Sequence, residues 1–341
     1  MLNKNKSIAL WLFVVSALIV FMVIFGGWVR LTRSGLSIVE WNVVTGILPP
    51  IGTEAWTDAF HKYQQTPEYI RVNAGMELDE FRFIYYMEYT HRLLGRITGL
   101  AFVVPLFLFI TRGAIPIPRL PAFAAVGLLF ALQGLLGWLM VQSGLVDQPH
   151  VDHLRLSLHL STALLLLCCC LWLAFGYAFG QPDPEQPRVS SRIRRLSVAL
   201  LIAVGQQIFA GGLVAGLRAG LISNTFPMMF GQLVPDGLWR LHPWLLNHLD
   251  NPATVHFQHR WFAFVVLILA TVLMLRARLE ILPSYLRPAA TSALHLTLIQ
   301  VLIGIGVIAM HVPTWMASLH QAIGIAILSV SLLVCHRAFR A

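Results

Sequence analysis

Long apolar runs alternate with short polar breaks along this chain, and the runs have the length needed to cross a bilayer. The pattern predicts eight helices, near residues 8–29, 84–110, 121–141, 155–179, 196–216, 256–275, 291–310 and 317–336. One such run can be the core helix of a soluble protein. Eight in succession predict an all-α integral membrane protein. Composition agrees, with 57% hydrophobic and 11% charged residues, far from the balance of a soluble domain. The first run follows Lys4 and Lys6, as a signal peptide would, but it exceeds the length of a signal-peptide core. No A-x-A-like site follows it, so it reads as a retained helix.

A net charge of +9 raises the question of nucleic acid, and the placement of the charges answers it. With eight spans, both termini and three loops share one side. That side carries Lys4, Lys6, Arg112, Arg119, Arg188, Arg192, Arg194, Arg195, Arg276, Arg278, Arg287, Arg337 and Arg340 against only Asp183, Glu185 and Glu280. The other side has nearly balanced charge. Such an asymmetry orients both termini toward the cytoplasm, or toward the matrix in a mitochondrion, and argues against nucleic acid as a partner. Cys168, Cys169 and Cys170 fall in the fourth predicted span and Cys335 in the eighth, which excludes a disulfide framework in the outer loops.

The second half of the chain repeats the first. Gly211-Gly212 precedes Arg218-Ala219-Gly220-Leu221 as Gly26-Gly27 precedes Arg33-Ser34-Gly35-Leu36. His259-Arg260 opens the sixth span as His91-Arg92 opens the second. Gln300, Gly304 and Gly306 answer Gln133, Gly134 and Gly137, and Ser318-Leu319-His320 answers Ser157-Leu158-His159. The shared order predicts two four-helix bundles in tandem: an N-terminal half, 1–180; a polar linker, 181–195; and a C-terminal half, 196–341.

One histidine falls near the outer end of each even-numbered span: His91, His159, His259 and His320. Within each half the two helices concerned run the same way, so their histidines can face each other across a bundle core. Two opposed imidazoles suit a porphyrin iron, which leaves two axial positions free, whereas zinc wants four ligands. The expectation is one haem site per half, with Arg92 and Arg260 as candidate partners of haem propionates or as snorkelling interfacial residues. His61, His150, His153, His242, His248 and His311 read as solvated, and His295 and His336 lie toward the inner side.

The halves differ at one place. Three residues before His91 stands Glu88, and three before His259 stands His256. Only the N-terminal half therefore sets a carboxylate beside its site, as oxidation at a carbon centre would need. The structural alternative is an i,i+4 ion pair between Glu88 and Arg92. This asymmetry reads as one catalytic half and one cofactor half.

Residues 27–37, the loop with Pro49-Pro50, the run Glu88-Tyr89-Thr90-His91-Arg92-Leu93-Leu94-Gly95-Arg96, and His159, His259 and His320 together resemble the haem A synthase family of bacteria and mitochondria. The resemblance covers almost the whole chain. It implies oxidation of the C8 methyl of haem O to the formyl of haem A, through an alcohol and a geminal diol that loses water, in cytochrome oxidase biogenesis. It further implies that His91 and His159 hold substrate haem O, that Glu88 takes part in the chemistry, and that His259 and His320 ligate a resident haem b. A bacterial inner (cytoplasmic) membrane, or a mitochondrial one, is the implied location. Haem O synthase and oxidase assembly factors are implied partners, with membrane lipid around the chain and an oligomer left open. Some members carry a cysteine pair in the first outer loop, and residues 30–83 here contain none. In that loop Glu77, Asp79, Glu80 and Arg82 read as a solvated face, with covering of the site or docking of a donor as the alternatives. The rival readings are a di-haem electron-transfer cytochrome without substrate chemistry and, more remotely, a transporter.

Overall fold

The computed structural model describes residues 4–42, 45–146, 148–180 and 187–340. Eight helices are long and apolar enough to span a membrane: α1 (Lys4–Leu31), α4 (Leu78–Thr111), α5 (Leu120–Leu145), α6 (His153–Phe179), α7 (Ser191–Gly216), α9 (Pro252–Leu279), α10 (Leu286–Ala309) and α11 (Thr314–Phe339). Three short helices, α2 (Gly52–Gln64), α3 (Pro67–Arg71) and α8 (Asn247–Asp250), lie in two long loops. No strand forms among the described residues beyond an isolated bridge between Met229 and Gln232. The protein is a multi-pass, all-α membrane protein.

Each predicted span is present, and most helices begin earlier than hydropathy places them. The reason lies in their first turns. A helix extends past its apolar stretch as long as its orphan N–H groups find acceptors. At α4 the Glu80 carboxylate accepts the N–H of Glu77 at 3.0 Å, so the helix starts at Leu78, with Asp79 and Glu80 favourably placed at its positive end. At α7 the Ser190 hydroxyl accepts from Ile193 N–H at 3.3 Å. At α9 Asn251 accepts from Ala253 N–H at 3.0 Å, with Pro252 as the first helical residue.

The chain forms two compact units, one of residues 17–163 and one of residues 1–16 with 164–341. These divisions fall inside α1 and α6. Residues 181–186 of the expected linker lie outside the described residues, and Ser191 already opens α7.

In the unit 17–163 the first long loop has a core of its own. Tyr63 and Phe81 are fully buried, with Trp56, Phe60, Tyr69, Ile84 and Tyr85 around them. Their rings meet at 5.0 Å (Phe60–Phe81) and 5.2 Å (Tyr63–Phe81). Each buried aromatic of this kind contributes about 1.5–3 kcal/mol, so α2 and α3 are fastened onto the start of α4. Of the polar tract at 77–82, Glu77, Asp79 and Glu80 face outward. Arg82 pairs with Asp79 at 2.7 Å and covers the Trp56 ring.

In the other unit the second long loop is organised by two asparagines. Buried Asn247 accepts from Leu241 N–H and donates to the carbonyls of Leu241 and Trp244, each at 2.9 Å. Asn251 donates to the carbonyls of Gly237 and Leu238 at 3.2 Å.

The ends of α1 and α7 explain one of the sequence repeats. Arg33 and Arg218 adopt left-handed conformations, with φ of 53° and 51°. Such a residue satisfies the last helical carbonyls and reverses the chain. Ser34 N–H returns to Val29 O at 2.9 Å, and Arg218 N–H to Ala215 O at 3.1 Å. In both units the reversal carries the following loop back toward the histidine-bearing helix.

Candidate functional site

Glu88 and Arg92 lie one turn apart on α4, and the reversed chain after α1 meets them. The Glu88 side chain is almost wholly buried, and its carboxylate accepts four hydrogen bonds. Arg92 donates to Oε1 through Nη2 at 2.6 Å and Nε at 3.1 Å; the Ser37 hydroxyl and the Ile38 N–H reach Oε2 at 2.8 and 2.9 Å. Arg92 also donates to the carbonyls of Ile38 and Glu40 at 2.9 Å and lies over the Trp41 ring at 4.7 Å. Arg96 and Tyr89 extend the same clasp to Asn42 O and Ile47 O, at 2.9 and 2.6 Å. The ion pair between Glu88 and Arg92 is thus part of a larger attachment of the first loop to α4.

The other unit builds the matching clasp without a carboxylate. Buried His256 accepts from Arg260 Nε at 3.0 Å, which puts its own ring proton on Nδ1. The rest of the Arg260 guanidinium holds the carbonyls of Ser223, Thr225 and Met228 at 2.8, 2.7 and 3.4 Å. Both arginines hold loop backbone through their guanidinium groups.

Behind each clasp stand the histidines. His259 and His320 face each other with ring centroids 6.4 Å apart and planes at 71°. Two imidazoles bound to one metal at about 2 Å each would hold their ring centroids roughly 6 Å apart, so this spacing suits a shared metal. In the unit 17–163, His91 and His159 hold the corresponding sequence positions. Among the described residues no cluster of three or more His, Cys, Asp or Glu side chains is arranged for a metal.

Every one of these four rings lies against a glycine of the neighbouring helix. A Cβ added to Gly26 of α1 would meet His91 Nε2 at 2.7 Å. Added to Gly137 of α5, Gly211 of α7 or Gly304 of α10, it would meet Cε1 of His159, His259 or His320 at 3.1, 3.0 and 3.0 Å. Only a residue without a side chain leaves room for the ring at these distances.

Glutamine amides complete the arrangement, and sequence reading gave them no role. Gln133, Gln207 and Gln300 donate from Nε2 to the backbone carbonyls of His159, His259 and His320 at 3.1, 2.8 and 2.9 Å. Each stands four residues before its glycine, so Gln-x-x-x-Gly occurs on α5, α7 and α10. That spacing was the available signal, since it puts amide and gap on one helix face.

The remaining candidates disperse. His311 meets Asn224 at 3.2 Å, and His248 bonds to Gln258. His336 is buried against Trp172 and Phe175, with ring centroids 4.7 and 5.6 Å away. The four cysteines are free.

A model of the COX15-CtaA family, described as cytochrome oxidase assembly proteins, matches residues 9–332. The chain belongs to that family. It is 42% identical over 336 residues to a protein of Nitrosospira multiformis named heme A synthase, covering 98% of this chain and 94% of the relative. Proteins of the same name from Methylobacterium radiotolerans and from Wolbachia of Culex pipiens are 44% and 41% identical. The first of these pairings covers 96% of this chain and 89% of the relative, and the second 99% of both.

The donor set fits the haem association of this family. Four helix-borne imidazoles are each given room by a glycine, His259 and His320 face each other, and Nδ1 of His159, His259 and His320 is buried without a hydrogen-bond partner. Two nitrogen donors per site match an iron whose other positions a porphyrin fills.

Proposed function

We propose that this chain is a haem A synthase that oxidises the C8 methyl of haem O to the formyl of haem A for cytochrome oxidase. The observation that carries the reading is the pair of histidine sites, alike in their glycines and clasps, of which one alone carries a buried carboxylate. The unlike clasps suit unlike occupants: substrate haem O between His91 and His159, and a resident haem b between His259 and His320. A bound haem b supplies one-electron redox chemistry. The chain's residues supply the axial nitrogens, the enclosing helices and the fixed charge. Paired halves 1–180 and 196–341 are best explained by internal duplication.

Glu88 sits three residues from His91, on the same helix face, and is the carboxylate nearest that ligand in sequence. Its four donors hold it in place, so its first task is to fix the loop over the site. Accepting a proton as the methyl carbon is hydroxylated would require one of those donors, Ser37 or Arg92, to move. Contact between Arg92 or Arg260 and a propionate would likewise require release of a loop carbonyl.

The excess of basic residues on one side supports termini in the cytoplasm and residence in the bacterial inner membrane. Haem O synthase and oxidase assembly factors are the partners this activity calls for.

The deciding experiment extracts the haems from purified protein and identifies them by mass. Haem b together with O- or A-type haem is the expected result. Two equivalents of haem b alone would overturn the enzyme reading in favour of a di-haem electron carrier.

A further inference from the structure

Three of the four histidines are tied from the facing helix by a glutamine, and the fourth is not. On α1 the position four residues before the glycine is Met22. The register itself is kept: the His91 ring lies near the Met22 backbone, as the rings of His159 and His259 lie near the backbone of Gln133 and Gln207. The side chain even occupies the same place. The Met22 methyl lies 3.7 Å from a Cβ built on Gly95, four residues after His91. Gln300 Nε2 lies 3.4 Å from one built on Gly324, four residues after His320. What is missing is the amide.

The tether has a physical consequence. A helical carbonyl already accepts from the residue four later, and the glutamine amide adds a second donor from another helix. That bond fixes the two helices in register and, with them, the Cα–Cβ direction from which the imidazole projects. Groups that orient a metal-bound histidine alter its hold on the metal. In apolar surroundings an interhelical amide–carbonyl bond changes an equilibrium by roughly three- to thirty-fold.

We propose that Gln133, Gln207 and Gln300 are positioning residues that keep their histidines on the iron, and that His91 is the ligand that lets go. The inference rests on the ligand assignment above and deepens it. Both ligands of the resident haem are tethered, as a permanent cofactor requires. The substrate site has one tethered ligand, His159, and one free to yield, His91, so that haem O is admitted and haem A released on the His91 side without disturbing the register of His159. Met22 is then a specificity device for turnover: it fills the tether's place with a side chain that cannot donate.

The exchange variants Met22→Gln and Gln207→Met test this in the full-length, detergent-purified protein. Each puts at one position a residue that the chain already accepts at the same register elsewhere, so packing is preserved. The readout is the rate at which haem is lost to excess apomyoglobin, followed by visible absorption, with the low-spin electron paramagnetic resonance signal of each haem. Wild-type protein should lose O- or A-type haem faster than haem b. Met22→Gln should slow the first phase about three- to thirty-fold and leave the second unchanged. Gln207→Met should accelerate loss of haem b by a similar factor and shift its resonance signal. Unchanged rates in both variants overturn the tether. Failure of the ligand assignment looks different: His259→Ala and His320→Ala would then keep the wild-type haem b spectrum.

Discussion

Arg92 holds Glu88 at 2.6 Å and, with the same guanidinium, holds the backbone of Ile38 and Glu40. The carboxylate three residues before His91 is therefore also an anchor of the first loop. Substitutions at Glu88 can separate this anchoring from its proposed part in the chemistry.

Glu88→Ala removes the acceptor and leaves a largely buried guanidinium unpaired, which costs about 3–5 kcal/mol. It should abolish haem A formation and lower the melting temperature together. Glu88→Gln keeps the size and one acceptor oxygen, so its melting temperature should stay closer to wild type. Near-normal haem A formation in Glu88→Gln, measured by haem extraction, would show that Glu88 serves the loop and not the chemistry.

Arg260→Lys should loosen the second loop while sparing the haem b proposed between His259 and His320. A lysine ammonium has no planar fork to serve His256 and three carbonyls at once. Limited proteolysis should cut within 217–251 at least several-fold faster in this variant, with the haem b spectrum retained. Loss of haem b at unchanged proteolysis would instead place the guanidinium on a propionate.

Gly211→Ala and Gly304→Ala bring a Cβ to 3.0 Å from the His259 and His320 rings. Overpacking of this kind costs about 1–3 kcal/mol, and here the strain falls on the proposed ligands themselves. Both variants should lose most haem b. Gly205→Ala is the control: a Cβ there meets nothing within 4 Å, and alanine is the better helix former. It should keep full haem content, read from the Soret absorbance per protein.

The first loop carries its own pH dependence. Glu40 accepts from Lys62 at 2.7 Å and from Asn42 at 2.8 Å, bonds that hold its carboxyl below the ordinary value of 4.5. A depressed folded value adds stability that is complete above 4.5 and is lost as pH falls through that lower value. Fluorescence of Trp41, the adjacent residue, should stay constant down to about pH 4.5 and change below it. Lys62→Met should move that change upward toward 4.5; an unmoved transition would show that Lys62 does not hold Glu40.

Eight spans, the four histidines near the ends of spans and the carboxylate three residues before His91 are all legible along the chain. Apolar length is a local property, and imidazoles and carboxylates inside such stretches are too costly to be incidental. The helix starts at Leu78, Ser191 and Pro252 escaped hydropathy, because they depend on single caps and not on apolar content. Tertiary structure alone decided what else the charged neighbours do. The Glu88–Arg92 ion pair is legible at i,i+4, but the loop carbonyls that Arg92 and Arg260 hold come within reach only through the left-handed turns at Arg33 and Arg218. The glutamine tethers were hidden for the same reason. An amide on one helix and a carbonyl on the next become partners only when the glycine four residues on lets a histidine ring lie between the helices.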